Sequence, residues 1–562
     1  MARTDPGLEA FLAPLKVDVD RLYGLSCSLS RVYRELAADS SDQFFPTATT
    51  RLPNGHEKGR YLAVYLGLHY LRVAFIELLG EEQVGKHSHV RRTLEKAWPI
   101  EKRLRQDQPD SLFAWIGDCI AEVIHDDLAN TKGDVPEEIT MGISFCFPIK
   151  QKFMNEAILM ATGKGFVMKT SLNLRQALLD GYECHTRRSD EDDAEIRTKR
   201  QKRYCLPKLK IAVMTNDTIS TLASLAYSIR ALPNTRVVMG LIVGAGCNSA
   251  VPMKLTDLQE AKIRHVRERD PEATESIVST EWTLRGASAP LKELNLFTKW
   301  DLQLEARANR PGFQPLEYMV GGRYVGELVR IICYDWFHET KKIPRESLPE
   351  KLVEEYALTT DFLSLVVASS HSDQALAEEL SHKLPGPTGS SFKWSPAYAG
   401  YLRAIAAAVQ DRSAALVAAA TVGLLACTRE IQLQDKNSEG VDPGDPQATE
   451  GVNKPRADEL AKLSHLGAPT GWLKGPEELV VAVSGGVIQH YPYYKQTIQR
   501  YIDRLILNAG PQDGGKSVFL RDVNDGGIIG VGVLAGTVAG EIEDIIGSSL
   551  EEQHGTEERL VG

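Results

Sequence analysis

Closely spaced cysteines are absent from this sequence. Its eight cysteines stand at positions 27, 119, 146, 184, 205, 247, 333 and 427. None of them forms a Cys-x-x-Cys pair, so the simplest interpretation is a reduced intracellular protein, and the sequence predicts no metal site. With 562 residues the chain is also far too long for a small disulfide-stapled scaffold.

Long hydrophobic runs, and the residue pattern of a secretory signal at residues 1–7, are missing as well. The most apolar stretch, residues 413–427, is about 15 residues long and rich in alanine, which is short of the ~20 residues that span a bilayer. We therefore interpret it as a buried helix. The N-terminal residues 1–7 lack the basic-then-apolar order of a secretory signal, and a cytoplasmic location is the expectation.

An excess of positive charge is a third absence. The 65 basic and 75 acidic residues leave a net charge of −10, which argues against a nucleic-acid-binding surface spread over the whole molecule. A content of 43% hydrophobic and 25% charged residues is that of an ordinary globular protein. The length allows two to four domains or two large α/β lobes.

Two polar segments resemble insertions rather than core. Residues 185–203 are first acidic and then basic, which predicts a solvated loop; a nuclear-import patch or a partner-docking segment at 197–203 is the alternative. Residues 434–454 contain Asp, Ser, Gly, Pro and Asn and almost no large apolar residue. This composition predicts a polar linker.

Between these segments, strand-like and helix-like patterns alternate, which predicts an α/β fold. The expected strands are residues 60–77 as two strands around Gly67, then 209–214, 236–243 and 479–483, with a further strand resuming at Val487. The expected helices are residues 222–229 and 497–507. Several strands end in glycine turns, where α/β proteins bind phosphates and small ligands.

One sequence pattern matches a phosphate-binding motif, but the elements predicted around it do not fit one. Residues 510–517 match the Walker pattern Gly-x-x-x-x-Gly-Lys-Ser. A true phosphate loop follows a strand and precedes a helix, whereas here a predicted helix precedes the motif and a strand-like segment follows it. We interpret residues 510–517 as a connecting loop.

Asp217 stands where a predicted strand turns into a predicted helix. Two interpretations are open on local sequence: Asp217 caps the helix, or it is a catalytic base that faces a cleft. Further polar motifs along the chain bear on this choice. In chain order they are Phe45-Pro46-Thr47, residues 53–59, residues 142–148, Asn216-Asp217-Thr218, residues 244–248, Thr280-Glu281-Trp282 and residues 316–319.

This ordered set of motifs resembles the hexokinase family from about residue 20 to about residue 540. Within the family the resemblance is greatest to divergent, atypical members of filamentous fungi. It implies a two-lobed actin-like ATPase fold of the ribonuclease H type, with a hexose in the cleft. The implied large lobe comprises residues 1–59 and 217–521, and the implied small lobe comprises residues 60–216 and 522–562.

The resemblance also implies a set of hexose-binding residues. By position these are Lys164, Asn216, Asp217, Asn248, Glu281 and Glu317. Asp217 would accept the proton of the sugar hydroxyl during phosphoryl transfer. Cys146 replaces a family Ser and Gly163 a family Thr, and each lost hydroxyl weakens sugar binding by about 1 kcal/mol.

The nucleotide side departs further from the family pattern. Tyr65 replaces the Asp that would support Mg²⁺, and the turn Gly67-Leu68-His69 before Arg72 has lost a glycine and a threonine. The second phosphate turn is Gly244-Ala245-Gly246, and the adenosine-side turn is Ser484-Gly485-Gly486. The resemblance implies Mg-ATP as cofactor, and these changes weaken that expectation.

Three functional hypotheses follow. In the first, the protein binds a hexose, with glucose as the first candidate, has impaired phosphoryl transfer, and acts with a protein partner as a regulator or sensor of carbon status and starvation. In the second, it is an active hexokinase that feeds glycolysis. In the third, it is a scaffold in which neither ligand site works.

Overall fold

Two β-sheets organise the protein. The computed structural model describes residues 5–80, 89–106, 109–131, 134–160, 172–186, 205–229, 234–434 and 476–540. The segment 435–475 therefore lies outside the described residues, as do most of the charged segment 185–203 and Lys164. The two sheets have different strand orders, and strands of both sheets end at one cleft.

The first sheet has the strand order β4-β3-β2-β5-β8. Its strands are β2 (Lys58–Leu66), β3 (Tyr70–Leu79), β4 (Val90–Pro99), β5 (Glu138–Phe145) and β8 (Lys208–Asn216). β2 and β3 form the antiparallel hairpin that the sequence predicts around Gly67. β2, β5 and β8 run parallel, so their carboxyl ends share one edge.

The second sheet has the order β1-β11-β10-β9-β12-β13. Its strands are β1 (Phe45–Pro46), β9 (Thr235–Val243), β10 (Cys247–Lys254), β11 (Glu275–Ser279), β12 (Glu478–Ser484) and β13 (Ser517–Asp522). A short two-stranded ribbon pairs β6 (Ile149–Lys150) with β7 (Ile158–Leu159). β9, β12 and β13 are parallel, so the turns after β9 and β12 lie side by side.

Helices cover both sheets. The described α-helices are Pro6–Leu12, Val19–Asp39, Lys102–Gln106, Pro109–Asn130, Leu174–Glu183, Asp217–Ile229, Glu260–Arg269, Ala289–Glu293, Lys299–Arg307, Pro315–Val320, Gly322–Tyr334, Glu350–Val353, Thr360–Phe362, Asp373–Lys383, Pro396–Cys427, Gly486–His490, Tyr494–Ala509 and Gly526–Gly540. Asp335–Thr340 and Leu363–Ala368 are π-helical.

The predicted buried helix at 413–427 is confirmed, and it is longer than the sequence suggested. It is part of Pro396–Cys427, which has 32 residues. Among the described residues, this helix alone is long and apolar enough to cross a membrane, and 78% of its most apolar window is buried inside the protein. Its one buried cation, Arg412, pairs with Asp301 at 2.7 Å, so the charge is neutralised where it is buried.

The last described helix packs between the two sheets. Residues of Gly526–Gly540 share one apolar cluster with strands of the first sheet, with strands of the second, and with Asp217–Ile229. The approach is very close, because a β-carbon added at Gly530 would lie 1.7 Å from the Ser220 carbonyl oxygen. Glycine at this position is what lets the two helices touch.

Most element predictions are confirmed, and one is wrong. Residues 510–516 join a helix to β13, as the rejection of a phosphate loop requires. Val487 does not resume a strand, because Gly486–His490 is a short helix. Gly485, with a φ of 116°, turns the chain out of the sheet, and β13 takes the neighbouring place beside β12. The lobe boundaries stay a prediction.

Candidate functional site

A cavity of about 1250 Å³ lies where the strands of both sheets end. The predicted site residues that line it are Leu68, His69, Cys146, Asn216, Asp217, Gly244, Ala245, Gly246, Asn248, Glu281, Glu317, Gly485 and Gly486. Gly67, Arg72 and Ser484 are not among its lining residues. Residues far apart in sequence therefore meet in one cleft.

Asn216, rather than Asp217, caps the helix that begins here. The Oδ1 atom of Asn216 accepts hydrogen bonds from the Ile219 amide at 3.1 Å and from the Thr218 hydroxyl at 2.7 Å. Its Nδ2 donates to Ser279 Oγ at 2.9 Å. Asp217 is the first helical residue and lines the cavity. Asn216 therefore supplies the capping acceptor of this helix, and the catalytic role of Asp217 stays a prediction.

Asn248 and Glu281 are held together by a polar network. Nδ2 of Asn248 donates to Glu281 Oε1 at 2.7 Å, and the Glu281 amide donates to Asn248 Oδ1 at 3.0 Å. Ser279 Oγ donates to the same carboxylate at 3.2 Å. Glu281 has a φ of 48°, which is uncommon for a residue other than glycine and is typical of functional sites.

Glu317 completes the acidic side of the cavity. It lies in the helix Pro315–Val320 and is buried. Its Oε2 accepts a hydrogen bond from the Cys247 amide at 3.0 Å, which ties the helix to the start of β10. Because this contact involves one carboxylate oxygen and a backbone donor, the position of Glu317 does not depend on a flexible partner.

Cys146 lies at the end of β5, on the first sheet's side of the cavity. Its amide donates to the Leu66 carbonyl at 3.0 Å, and its side chain is buried. A thiol at this position has a weaker hydrogen-bonding capacity than a hydroxyl would have, and its role in sugar binding stays a prediction.

Three glycine-containing segments form the opposite wall of the cavity: residues 244–246, Gly322 and residues 485–486. A β-carbon at Gly485 would lie 2.6 Å from the backbone of Val243, and one at Gly322 would lie 2.7 Å from the Gly244 carbonyl oxygen. The Gly322 amide donates to that oxygen at 2.8 Å. Side chains are thus excluded at Gly322 and Gly485, where backbone forms the wall.

The ring of Tyr65 fills space beside the turn after β2. The Gly67 amide closes that turn on the Tyr70 carbonyl at 3.0 Å. A β-carbon at Gly67 would lie 3.1 Å from the Tyr65 ring, and one at Gly527 would lie 2.7 Å from it. Burial, together with the negative charge of Asp217, raises the pKa of Tyr65 well above its usual range, so its hydroxyl stays neutral.

Arg72 faces a cluster of charges outside the cavity. It donates to Asp525 Oδ1 at 2.6 Å and to Glu95 Oε1 at 2.7 Å. Arg92 donates to the other oxygen of Asp525, at 2.7 Å. Burial would lower the pKa of Arg72, but its bonds to these carboxylates outweigh that effect and raise it. Both carboxylates thus have cationic partners.

Comparison with known families agrees with this geometry. One family model described as hexokinase matches residues 7–227, and a second matches residues 238–537. The chain belongs to the hexokinase family. The gap between the two matches, residues 228–237, spans the connection from the helix Asp217–Ile229 to β9.

Individual hexokinases are distant in sequence. The chain is 32% identical over 328 residues to a hexokinase of Schistosoma mansoni, covering 58% of this chain and 62% of that protein. It is 27% identical over 426 residues to a glucokinase of Aspergillus niger, covering 71% of this chain and 78% of that protein. Relatives thus occur in a fluke and a fungus, and the fungal assignment stays a prediction.

The fold agreement covers nearly the whole hexokinase chain. A solved structure of Schistosoma mansoni hexokinase complexed with glucose superposes with a TM-score of 0.68 at 21% identity, covering 94% of this chain and 98% of that one. A second hexokinase structure gives 0.61 at 20% identity. The two-lobed actin-like fold expected from the sequence is confirmed.

The sequence did not point to three residues in or beside the cavity: Ser279, which hydrogen-bonds residues that line it, and Arg105 and Asp361, which line it themselves. Ser279, which joins Asn216 to the Asn248–Glu281 pair, ends β11 two residues before Glu281, and its position at a strand end was the available signal. Arg105 and Asp361 line the cavity. Burial and the charge of Arg105 lower the pKa of His69. No motif connects these three, so only the fold brings them together.

Proposed function

We propose that this hexokinase-family protein binds a hexose, transfers phosphoryl groups poorly or not at all, and acts as a regulator or sensor of carbon status. The observation that carries the proposal is an asymmetry of the cleft. The hydrogen-bonding side chains of the sugar side stand together, whereas apolar and aromatic side chains occupy the turn at the phosphate side. Glucose is the first candidate, since a related hexokinase structure contains it.

The sugar side supports hexose binding through its donors and acceptors. A hexose presents hydroxyl groups that both donate and accept, and carboxylates and amides fixed in place satisfy several at once. Asn248 and Glu281 are fixed by mutual hydrogen bonds at 2.7 and 3.0 Å, and Glu317 is fixed by a backbone amide. Little side-chain entropy remains to be lost when a sugar binds.

The phosphate side does not fit a magnesium-bound phosphate chain. Tyr65 offers a neutral hydroxyl where a hard cation prefers a carboxylate oxygen, and its ring contacts both Gly67 and Gly527. The side chains of Leu68 and His69 line the cavity at the same turn. Each lost electrostatic contact to a transferring phosphoryl group costs ~3 kcal/mol, or ~100-fold in rate. A few such losses leave little catalysis.

A regulatory role follows from ligand-dependent closure rather than turnover. A hexose that contacts Asn216 on the first sheet and Glu281 after the second would favour the closed cleft. A protein partner that distinguishes the closed form from the open one would then sense the sugar. We propose a cytoplasmic location, with a nuclear one as the alternative if residues 197–203 are recognised by an importer.

An active hexokinase is the second candidate, and the position of Asp217 favours it. This carboxylate lines the cavity beside Asn216, where a general base for a sugar hydroxyl must stand. Under this alternative, other groups of the cavity compensate for the changes at Tyr65, Leu68 and His69.

Two measurements on the purified full-length chain test the proposal. In a coupled assay of hexose 6-phosphate formation, we expect turnover far below the ~1 s⁻¹ that is typical of kinases. In thermal-shift titrations, we expect glucose to raise the melting temperature and Mg-ATP to leave it unchanged.

The outcomes separate the candidates. Turnover above ~1 s⁻¹ establishes the active hexokinase and overturns the proposal. A protein whose melting temperature responds to neither ligand is the scaffold of the third hypothesis. A response to glucose without turnover supports a hexose-binding regulator.

A further inference from the structure

Two helices that pack on the first sheet cross at an unusually short distance. Pro109–Asn130 and Leu174–Glu183 meet at Gly117 and Gly181. A β-carbon added at Gly117 would lie 2.1 Å from the Gly181 carbonyl oxygen, and one at Gly181 would lie 2.2 Å from the Phe113 carbonyl oxygen. The crossing therefore requires both glycines, and it brings Asp118 of the first helix close to the residues that follow the second.

Three possible metal ligands lie together here: Asp118 on the first helix, and Cys184 and His185, which directly follow the second. One carboxylate oxygen, the thiol sulfur and one ring nitrogen lie within 4.8 Å of one another. Nε2 of His185 lies 2.9 Å from Asp118 Oδ1. The His185 side chain is 0% exposed, while that of Asp118 is 42% exposed. The cluster thus has a buried side and a side open to solvent.

We propose that Asp118, Cys184 and His185 bind a zinc ion. Thiolate, imidazole and carboxylate are the three protein ligands that Zn²⁺ takes, and a tetrahedral ion needs one more donor. Because Asp118 is partly exposed, a water molecule fills the fourth position. Binding requires neutral His185 and releases the thiol proton of Cys184 as the sulfur–zinc bond forms.

The backbone around the cluster holds these ligands in place. The His185 amide donates to the Tyr182 carbonyl, and the His185 carbonyl accepts from the Leu206 amide, each at 2.9 Å. The rings of Tyr182 and His185 lie 5.9 Å apart. Zinc at His185 would therefore also stabilise the hydrogen bond between His185 and Leu206.

The site is separate from the hexose cavity. None of the three ligands lines that cavity, and zinc binding is therefore independent of the proposed function. No sequence motif indicates this site, because Asp118 is far along the chain from Cys184 and His185, and the crossing of the two helices brings them together.

Cobalt is the spectroscopic probe. The full-length protein, stripped with a chelator, is titrated with Co²⁺ and then with Zn²⁺. We expect one thiolate-to-cobalt charge-transfer band and intense tetrahedral ligand-field bands at one equivalent, which Zn²⁺ then displaces. Absence of these bands from the folded wild-type protein overturns the proposal and needs no variant.

Variants assign the ligands. Cys184→Ser and Asp118→Asn should each weaken zinc binding at least ~10-fold in competition with a chromophoric chelator. Cys27→Ser, which changes a partly buried cysteine of another helix, is the control and should bind zinc like the wild type. Equal affinity of Cys184→Ser and Cys27→Ser overturns the proposal. Should Cys184→Ser fail to fold, the Asp118→Asn affinity and the wild-type cobalt spectrum decide.

Discussion

The phenol ring of Tyr65 lies against Gly527, so closely that a β-carbon at residue 527 would lie 2.7 Å from two ring carbons. Tyr65 is paired with Arg72 in the β2–β3 hairpin, and Gly527 is the second residue of the final helix, Gly526–Gly540. The ring therefore lies where the hairpin and the final helix meet. An aspartate at position 65 would leave this space open.

Restoring the family residues at this turn should restore nucleotide binding. Tyr65→Asp together with Leu68→Gly and His69→Thr removes the ring and supplies a carboxylate for Mg²⁺. We expect Mg-ATP to raise the melting temperature of this variant, since a ligand that binds only the folded state stabilises it by RT ln(1 + [L]/Kd).

Tyr65→Phe is the matched control for the triple variant. It keeps the ring and loses only the neutral hydroxyl, so its response to Mg-ATP should equal that of the wild type. If the triple variant also shows no response, the obstruction by Tyr65 is not the reason for weak nucleotide binding.

Cys146→Ser should tighten hexose binding. The substitution exchanges a weak hydrogen-bonding thiol for a hydroxyl at a buried position that lines the cavity. One hydrogen bond gained is worth about 1 kcal/mol, or about a five-fold lower Kd for glucose by calorimetry. Cys27→Ser serves as the control, and a weaker affinity in Cys146→Ser would place the sugar elsewhere.

Glu281→Gln should weaken hexose binding. The carboxylate holds Asn248 and accepts from Ser279, and a charged acceptor for sugar hydroxyls is worth about 1.5–3 kcal/mol, or at least ~10-fold in Kd. Glu293→Gln, at an exposed position of the helix Ala289–Glu293, is the control. Unchanged glucose affinity in Glu281→Gln would exclude this carboxylate from the site.

Asp525→Asn should lower the free energy of unfolding at neutral pH, and the free energy of unfolding of the variant should change less with pH in the acid range. Burial would raise the pKa of Asp525, but its bonds and charge interactions with Arg72 and Arg92 outweigh that and lower it below the usual 3.8. The folded protein therefore binds fewer protons than the unfolded chain just below pH 3.8. The stability contributed by the ionised carboxylate is present above that pH and is lost as the pH falls through the folded pKa.

Urea unfolding of Asp525→Asn and wild type at about pH 7 and about pH 3 measures this difference. We expect a gap of about 1.5–3 kcal/mol at the higher pH, since hydrogen bonds to charged partners are broken. The gap should shrink at the lower pH. A gap that is equal at both values would mean that Asp525 does not titrate differently in the folded state.

Local sequence predicts the strands and turns that carry the site. The β2–β3 hairpin around Gly67, the strand that leads into Asn216-Asp217-Thr218, and the glycine turns after β9 and β12 are all present, because alternating apolar residues and glycines act over a few residues. The prediction failed at Val487, since the choice between strand and helix there depends on Gly485 and on the neighbouring β13.

Which polar residue has which partner could not be predicted. Asp217 and Asn216 are adjacent, and both are favoured helix caps. Only the structure shows that Asn216 accepts the capping bond from Ile219 and that Asp217 lines the cavity. Hydrogen-bond partners depend on distances between elements, which local sequence does not contain.

The amino-acid sequence was enough to predict the family and the exchanged chemical groups: a carboxylate lost at Tyr65 and hydroxyls lost at Cys146 and Ala245. The effect of those exchanges depends on the fold, because a substituted side chain acts on the residues that it contacts. Packing of the final helix places Gly527 against Tyr65, and a close helix crossing places Asp118 beside His185. Both contacts join residues far apart along the chain, and such contacts exist only once the chain has folded.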